Sequence, residues 1–402
     1  MKIGILRETK KKDDQRVAFT PVHARNLIDQ FPSLQIVAQP SETRIFSNSE
    51  YLEMGIELNE DLSDCDLLLG VKEVDIKNVI PGKKYLFFAH VAKQQDKKQL
   101  YLKKLASKDI TLIDYEYLKD EHKNRIVSFG FWAGIAGCHY AIHALLKKIG
   151  MAENFSDTTS DSNFEFDNQL KRNYQLPPVK FMITGSGETS NGVVHILQKS
   201  GVKNVAPEDF HLTFQGPVFT ILKRQHHIVR HDGQAYSKKE YQRHPELYYS
   251  ILNQFAAHAD VYLACHYWEP KFPKFLVPDD LIKNEFNIKI IADISCEIDG
   301  PIASTIREST HHNPYYDYDP INKCEALPFS SNSNITVMAI GNLPSAFPRK
   351  ASTHFSELLS HHVLPSFIKN VNNEMIEKAT ILKKGKLTSH FSYLYNYLNQ
   401  SK

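Results

Sequence analysis

Short apolar runs punctuate the first third of the chain at 3–6, 35–39, 67–71, 86–89 and 111–113, each bounded by glycine, proline or polar residues. Runs of this length without alternation predict strands buried on both faces of a parallel sheet. Between them, spaced apolar residues predict helices. One covers 22–30, with Thr20 at the cap and Pro21 at the first helical position, and another covers 97–107. Strand–helix alternation at this spacing predicts βαβ units.

From Phe129 the pattern changes. Gly130, Ala133, Gly134, Ala136 and Gly137 lead into a long helix through 146, with a small-residue face suited to close packing. The segment 155–176 is rich in Ser, Asp and Asn and has no period, which predicts a surface insertion ended by Pro177-Pro178. A second βα pattern follows, with strands at 180–184, 261–265, 288–292 and 336–340 and a helix at 192–200. Two helices, at 348–359 and 375–384, close the chain. The fold class is therefore α/β, with parallel sheets flanked by helices.

Composition narrows the function classes. The 402 residues suffice for two or three domains. Lys+Arg 48 against Asp+Glu 46 gives a net charge of +2, too balanced for a nucleic-acid binder, and there is no concentrated basic stripe. Cys65, Cys138, Cys265, Cys296 and Cys324 share no zinc or redox spacing and read as free thiols in a reducing cytoplasm. No stretch is apolar enough to span a bilayer, and Met1–Leu6 reads as a first strand rather than a signal peptide.

Two of the predicted strands end in a titratable residue: 67–71 runs into Lys72, and 86–89 into His90. Ligands of open α/β sheets sit beyond the carboxyl ends of the strands. An amine and an imidazole placed there form a candidate acid/base pair. Read separately, Lys72 is also compatible with a surface lysine and His90 with a structural histidine. Arg16 is either a solvated loop arginine or a fork for a substrate carboxylate. Lys93 shares a face with His90 if a helical turn starts there.

A strand, a glycine turn and a helix follow one another from Phe181 to Gly192, which predicts a dinucleotide-binding loop. Gly185, Ser186, Gly187 and Glu188, with Gly192 in the helix, are its candidate cofactor contacts. The usual third glycine position holds Ser190, and the glycine arrives at 192. The residues expected to choose between NAD and NADP lie near Asn204-Val205-Ala206, with Glu208 and Asp209 just beyond, and leave the choice open. Asp293 reads either as a ribose ligand or as a cap paired with Ser295. The pairs His226-His227 and His311-His312 lack a third ligand at metal spacing, so no metal is expected.

These blocks together resemble the lysine-forming saccharopine dehydrogenases, within the wider alanine dehydrogenase and transhydrogenase group. The resembling stretches are Arg7-Glu8-Thr9, Arg16 to Pro21, Leu69-Gly70-Val71-Lys72, Phe87-Phe88-Ala89-His90 with Lys93, and Leu112 to Glu116. They continue through Val127 to Gly137, the glycine loop, Arg224 to His227, Tyr241 with His244-Pro245-Glu246, Tyr267-Trp268-Glu269, Ala292 to Cys296 and Gly341 to Ser345. The likeness covers about residues 1–365 and is strongest to the lysine–2-oxoglutarate reductase half of the bifunctional animal and plant enzyme.

The resemblance implies two Rossmann-like domains around a cleft: a catalytic domain from 1–135 plus 343–402, and a dinucleotide-binding domain from 136–342. It implies Lys72 and His90 as the acid/base pair, with Lys72 among other cations. Arg16 and Lys93 would hold substrate carboxylates, and Asp293 would lie near the nicotinamide ribose. The implied reaction is reversible condensation of lysine and 2-oxoglutarate to saccharopine with NAD or NADP, on small-molecule substrates alone. The alternatives are another amino-acid dehydrogenase of the alanine dehydrogenase type, or a non-catalytic nucleotide-binding regulator. Nothing from the family carries over to the insertion at 155–176.

Overall fold

The computed structural model describes residues 1–10, 14–151, 174–371 and 373–399. All but the last three residues of the expected insertion lie outside the described residues. The chain folds as two compact units, Met1–Phe129 with Pro348–Lys402, and Gly130–Phe347.

The first unit is built on strands β1 (Lys2–Ile5), β2 (Gln35–Ala38), β3 (Glu57–Leu58), β4 (Leu67–Lys72), β5 (Lys84–Phe88) and β6 (Thr111–Asp114). They pair in parallel in the order β6-β5-β4-β1-β2-β3. Leu67, Leu68, Leu69 and Val71 in β4, and Tyr85, Leu86 and Phe87 in β5, are buried. That is why these strands read as unbroken apolar runs. β4 and β5 lie side by side, so Lys72 and His90 emerge from adjacent tips.

One expectation fails at the carboxyl end of the chain. The helix expected over 375–384 stops at Ala379, and Thr380–Lys383 is a strand antiparallel to β6. Ile381 and Leu382 are fully buried there, and Lys384 and Gly385 both take positive φ to turn the strand into a short hairpin. The sheet is therefore mixed, because burial of a β-branched run against β6 overrides its helical spacing.

Helix Pro348–His362 ties the first unit together. Its Ser352 and Ser356 are fully buried, and their hydroxyls accept from the backbone N–H of Val17 (2.9 Å) and Thr20 (3.0 Å). Phe355 of the same helix stacks on Phe129, with centroids 4.4 Å apart. The loop carrying Arg16 is thus held by residues more than 330 positions away in sequence.

The second unit contains β7 (Lys180–Thr184), β8 (Lys203–Asn204), β9 (Val218–Leu222), β10 (Ile228–Arg230), β11 (Tyr248–Ser250), β12 (Val261–Ala264), β13 (Ile290–Asp293), β14 (Tyr316–Asp319), β15 (Cys324–Ala326) and β16 (Ile335–Met338). Its main sheet runs β15-β14-β16-β13-β12-β7-β9-β8, with only β14 and β15 antiparallel to their neighbours. β10 and β11 form a separate hairpin. Phe181 and Ile183 pack into the core on one face of the sheet, and Met182 and Tyr262 into the core on the other.

The long helix Gly130–Lys148 crosses the loop helix Glu188–Lys199 at very close range. A Cβ on Gly134 would lie 1.9 Å from the carbonyl oxygen of Thr189, and one on Gly192 would lie 2.0 Å from that of Phe131. Each helix offers a glycine to the backbone of the other.

Candidate active site and dinucleotide loop

Two charged clusters cap the adjacent tips of β4 and β5. In the first, the Asp14 carboxylate accepts from Arg16 Nε (2.9 Å) and Nη2 (2.8 Å), and the Lys72 ammonium lies 2.8 Å from the same carboxylate. Asp14 and Arg16 are buried, and the guanidinium also lies 4.3 Å above the Phe129 ring. Burial alone would raise the Asp14 carboxyl. The two cations win and hold it far below the usual carboxylate range.

In the second cluster, Glu116 is the centre. Arg125 Nη2 lies 3.1 Å and Lys93 Nζ 3.4 Å from its Oε1, and His90 Nδ1 lies 3.3 Å from its Oε2. That last contact is at ion-pair distance but poorly aligned for a hydrogen bond. Burial opposes the charge on Glu116, yet His90, Lys93 and Arg125 pull its carboxyl down to about 2. It therefore stays anionic across the neutral range. The side chains of His90, Lys93 and Arg125 are 40%, 46% and 44% exposed, so this cluster opens to solvent. The Phe88 ring stacks under His90 with centroids 6.1 Å apart.

The sequence-based expectations fare unevenly here. His90 and Lys93 share one cluster, joined through Glu116. Lys72 and Arg16 share the other, both held on the Asp14 carboxylate. Arg16 is forked on Asp14 rather than standing open.

In the second unit, the loop after β7 has the features a pyrophosphate requires. Gly185 takes φ +97°, and its N–H reaches Leu222 O at 3.1 Å. A Cβ there would sit 2.5 Å from Cys265 O, so only glycine allows the turn to pass so close to β12. Gly187 precedes the first turn of helix Glu188–Lys199, and a Cβ on it would meet nothing within 4 Å. Ser186, Gly187 and Glu188 are exposed beside the unpaired N–H groups of that helix end. These residues fit a dinucleotide phosphate: a bare backbone approach at Gly187 and a positive dipole end behind it.

Asp293 closes β13 and is fully buried. Its Oδ1 accepts from Ser295 Oγ (2.5 Å) and the Cys296 N–H (3.0 Å), and its Oδ2 from Thr305 Oγ1 (2.8 Å). Burial raises its carboxyl above the ordinary value. The carboxylate thus organises the 293–305 loop.

Comparisons with known proteins bear on the fold and on the chain's relatives. Residues 4–136 match the alanine dehydrogenase/PNT N-terminal domain. The structure of an L-alanine dehydrogenase matches with TM-score 0.63 at 12% identity, covering 99% of this chain and 100% of that one. A transhydrogenase from Sinorhizobium meliloti matches with TM-score 0.60 at 12% identity, covering 96% and 100%. These two likenesses show the fold. A saccharopine dehydrogenase (NAD(+), L-lysine-forming) from Yarrowia lipolytica is 25% identical over 90% of each chain. Over about nine-tenths of its length the chain is similar to L-lysine-forming saccharopine dehydrogenases. An alpha-aminoadipic semialdehyde synthase from Arabidopsis thaliana is 28% identical over 98% of this chain and 41% of its own length. The mitochondrial one of Rattus norvegicus is 26% identical over 98% and 47%. The chain therefore spans less than half the length of those plant and rat relatives.

Sequence reasoning missed Asp14, Glu116 and Arg125. Asp14 sits in a polar run and Arg125 in an isolated bridge to Lys119, where no periodicity singles out a residue. The one available signal was an acid just beyond β6, a third strand whose tip neighbours that of β5. A second miss concerns the strand expected near 204–206. β8 is a two-residue edge strand, and the neighbour of β7 is β9. The residues after β9 are Lys223 and Arg224, not Glu208 and Asp209.

Proposed function

We propose that this chain catalyses the reversible, NAD(P)-dependent condensation of L-lysine with 2-oxoglutarate to saccharopine. The single observation that carries the reading is the pair of clusters at adjacent strand tips, Lys72–Asp14–Arg16 and His90–Glu116–Lys93–Arg125, in a chain homologous to lysine-forming saccharopine dehydrogenases. The product carries three carboxylates, and Arg16, Lys93 and Arg125 supply cations suited to them.

The chemistry asks for proton carriers more than for nucleophiles. The ε-ammonium of lysine must lose a proton before its nitrogen attacks the keto carbon. The resulting carbinolamine must then gain a proton to release water and form the imine. Lys72 and His90 are the groups placed to carry these protons, at Nζ and at the imidazole nitrogens. Bound NAD(P)H would supply the hydride that turns the imine into the secondary amine. Gly185, Gly187 and the amino end of helix Glu188–Lys199 would hold its pyrophosphate. Asp14 and Glu116 keep Lys72 and His90 in fixed orientations between transfers. The free thiols of all five cysteines fit a reducing cytoplasm.

Initial rates of NAD(P)H oxidation test the reading. Oxidation is expected only when lysine and 2-oxoglutarate are both present, with saccharopine found by mass spectrometry. Turnover with pyruvate and ammonia but not with lysine would move the chain to the alanine dehydrogenase type. Nucleotide binding without turnover on any amino acid would make it a regulator.

The cofactor reading follows from strand order. In dinucleotide-binding sheets the adenosine ribose lies at the tip of the strand beside the one that precedes the glycine loop. That tip is the end of β9, where Lys223 is exposed. Arg224 there lies 5.1 Å from the Tyr241 ring and 5.5 Å from the Phe272 ring. Two cations and no acid favour a 2′-phosphate, so NADPH is expected to exceed NADH in kcat/KM by at least roughly tenfold. Changing both Lys223 and Arg224 to Ala should cut that ratio by about 10–100-fold. An unchanged ratio defeats the assignment.

A further inference from the structure

We propose that Glu8 and Asp114 are backbone clamps that set the positions of Lys72 and His90. This rests on the reading of those two residues as proton carriers. In the sheet order β6-β5-β4-β1, the strands bearing Lys72 and His90 lie in the middle, and the clamps come from the strands on either side.

A parallel ladder loses its partners where a strand ends, and the backbone N–H groups beyond that point need other acceptors. At β4, Leu6 N–H still reaches Leu69 O, at 2.8 Å. Past it, Glu8 takes over: Oε1 accepts from Val71 N–H (2.6 Å) and Oε2 from Lys72 N–H (2.9 Å). On the other side of β4 the register against β5 slips between Leu69 and Lys72, so strand pairing alone does not fix Lys72.

The same device recurs at β5. Asp114 Oδ2 accepts from both Ala89 N–H and His90 N–H, each at 3.1 Å. Its Oδ1 accepts from Glu116 N–H at 2.9 Å. One carboxylate therefore sets His90 and the partner of His90 together. His90 also holds φ +56°, a left-handed conformation that a non-glycine residue keeps only when its surroundings enforce it.

The carboxylates are suited to this task because both oxygens are acceptors. A glutamine at position 8 must turn an NH2 toward one of two N–H groups. An asparagine at 114 satisfies the 89–90 pair with its carbonyl and turns its NH2 toward Glu116 N–H. Burial pushes the Glu8 carboxyl up to about 7 and, with the charge of Glu116 beside it, the Asp114 carboxyl up to about 6. These groups are held in place against the cost of desolvating them.

Glu8→Gln and Asp114→Asn, made separately in the full chain, test the proposal by amide hydrogen exchange and by kinetics. In Glu8→Gln the amides of Val71 and Lys72 should exchange at least roughly tenfold faster, with Ala89 and His90 unchanged. In Asp114→Asn the amide of Glu116 should do the same. Both should lose about 10–100-fold in kcat, with the KM for the dinucleotide within roughly twofold. Unchanged exchange at the named amides overturns the clamps. Faster exchange with wild-type kcat overturns their positioning role. Exchange needs no substrate, so an inactive wild-type protein would count against the proposed reaction and leave the clamps to be judged on exchange. If one variant does not fold, the other decides.

Discussion

Replacing Lys72 by methionine is expected to lower kcat by roughly 10²–10⁴-fold while leaving dinucleotide binding in place. Methionine keeps most of the length and the apolar stem but carries no proton. The substitution is clean because Asp14 remains forked by Arg16 through Nε and Nη2, so no buried carboxylate is left unpaired. His90→Gln should behave alike, since Glu116 keeps Lys93 and Arg125. Nucleotide affinity, followed by NAD(P)H fluorescence, should change by less than about threefold, because the glycine loop belongs to the other unit. Near-normal turnover in both variants would falsify their assignment as proton carriers.

Gly192→Ala is expected to give a large loss of stability. Its Cβ would lie 2.0 Å from Phe131 O and 2.9 Å from Ile135 N, both backbone atoms of a helix that cannot swing aside like a side chain. Overpacking of this kind costs typically 1–3 kcal/mol and occasionally more, and a backbone clash belongs at or above the upper end. For a unit of this size about 3 kcal/mol corresponds to a Tm lowered by roughly 6–12 °C. Gly187→Ala makes the contrast. It meets nothing within 4 Å, so Tm should hold while nucleotide affinity falls at least roughly tenfold. Equal Tm values for Gly192→Ala and the wild type would remove the helix-crossing account.

That crossing explains the displaced third glycine. The fingerprint position holds Ser190, which is buried, and the contact with the long helix falls at 192. The sequence showed a glycine out of place. Its purpose became visible only with Gly134 opposite. The same division runs through the rest of the molecule. Apolar runs declare burial, so β4, β5 and β7 were legible and placed Lys72, His90 and Gly185 at strand tips. Pairing is not declared by periodicity. Asp14, Glu116 and Arg125 gain meaning once Lys72, His90 and Lys93 are brought to them from the tips of β4 and β5, and Thr380–Lys383 became a strand because β6 offered an edge. β9 escaped notice for a related reason. The chain leaves helix Glu188–Lys199 for the sheet edge and returns to pair with β7 only after 217, so the next strand in sequence is not the next in space.

The serines of helix Pro348–His362 have a bearing on how the protein is made. Val17 and Thr20 await hydroxyl groups that leave the ribosome some 335 residues later. At translation speeds of about 5–20 residues per second, that interval is roughly 17–67 s. Throughout it the Gly130–Phe347 unit emerges as one continuous stretch able to fold first, while the Arg16 loop stays untethered. Newly made chains should therefore complete the Gly130–Phe347 unit before the loop carrying Arg16 is anchored.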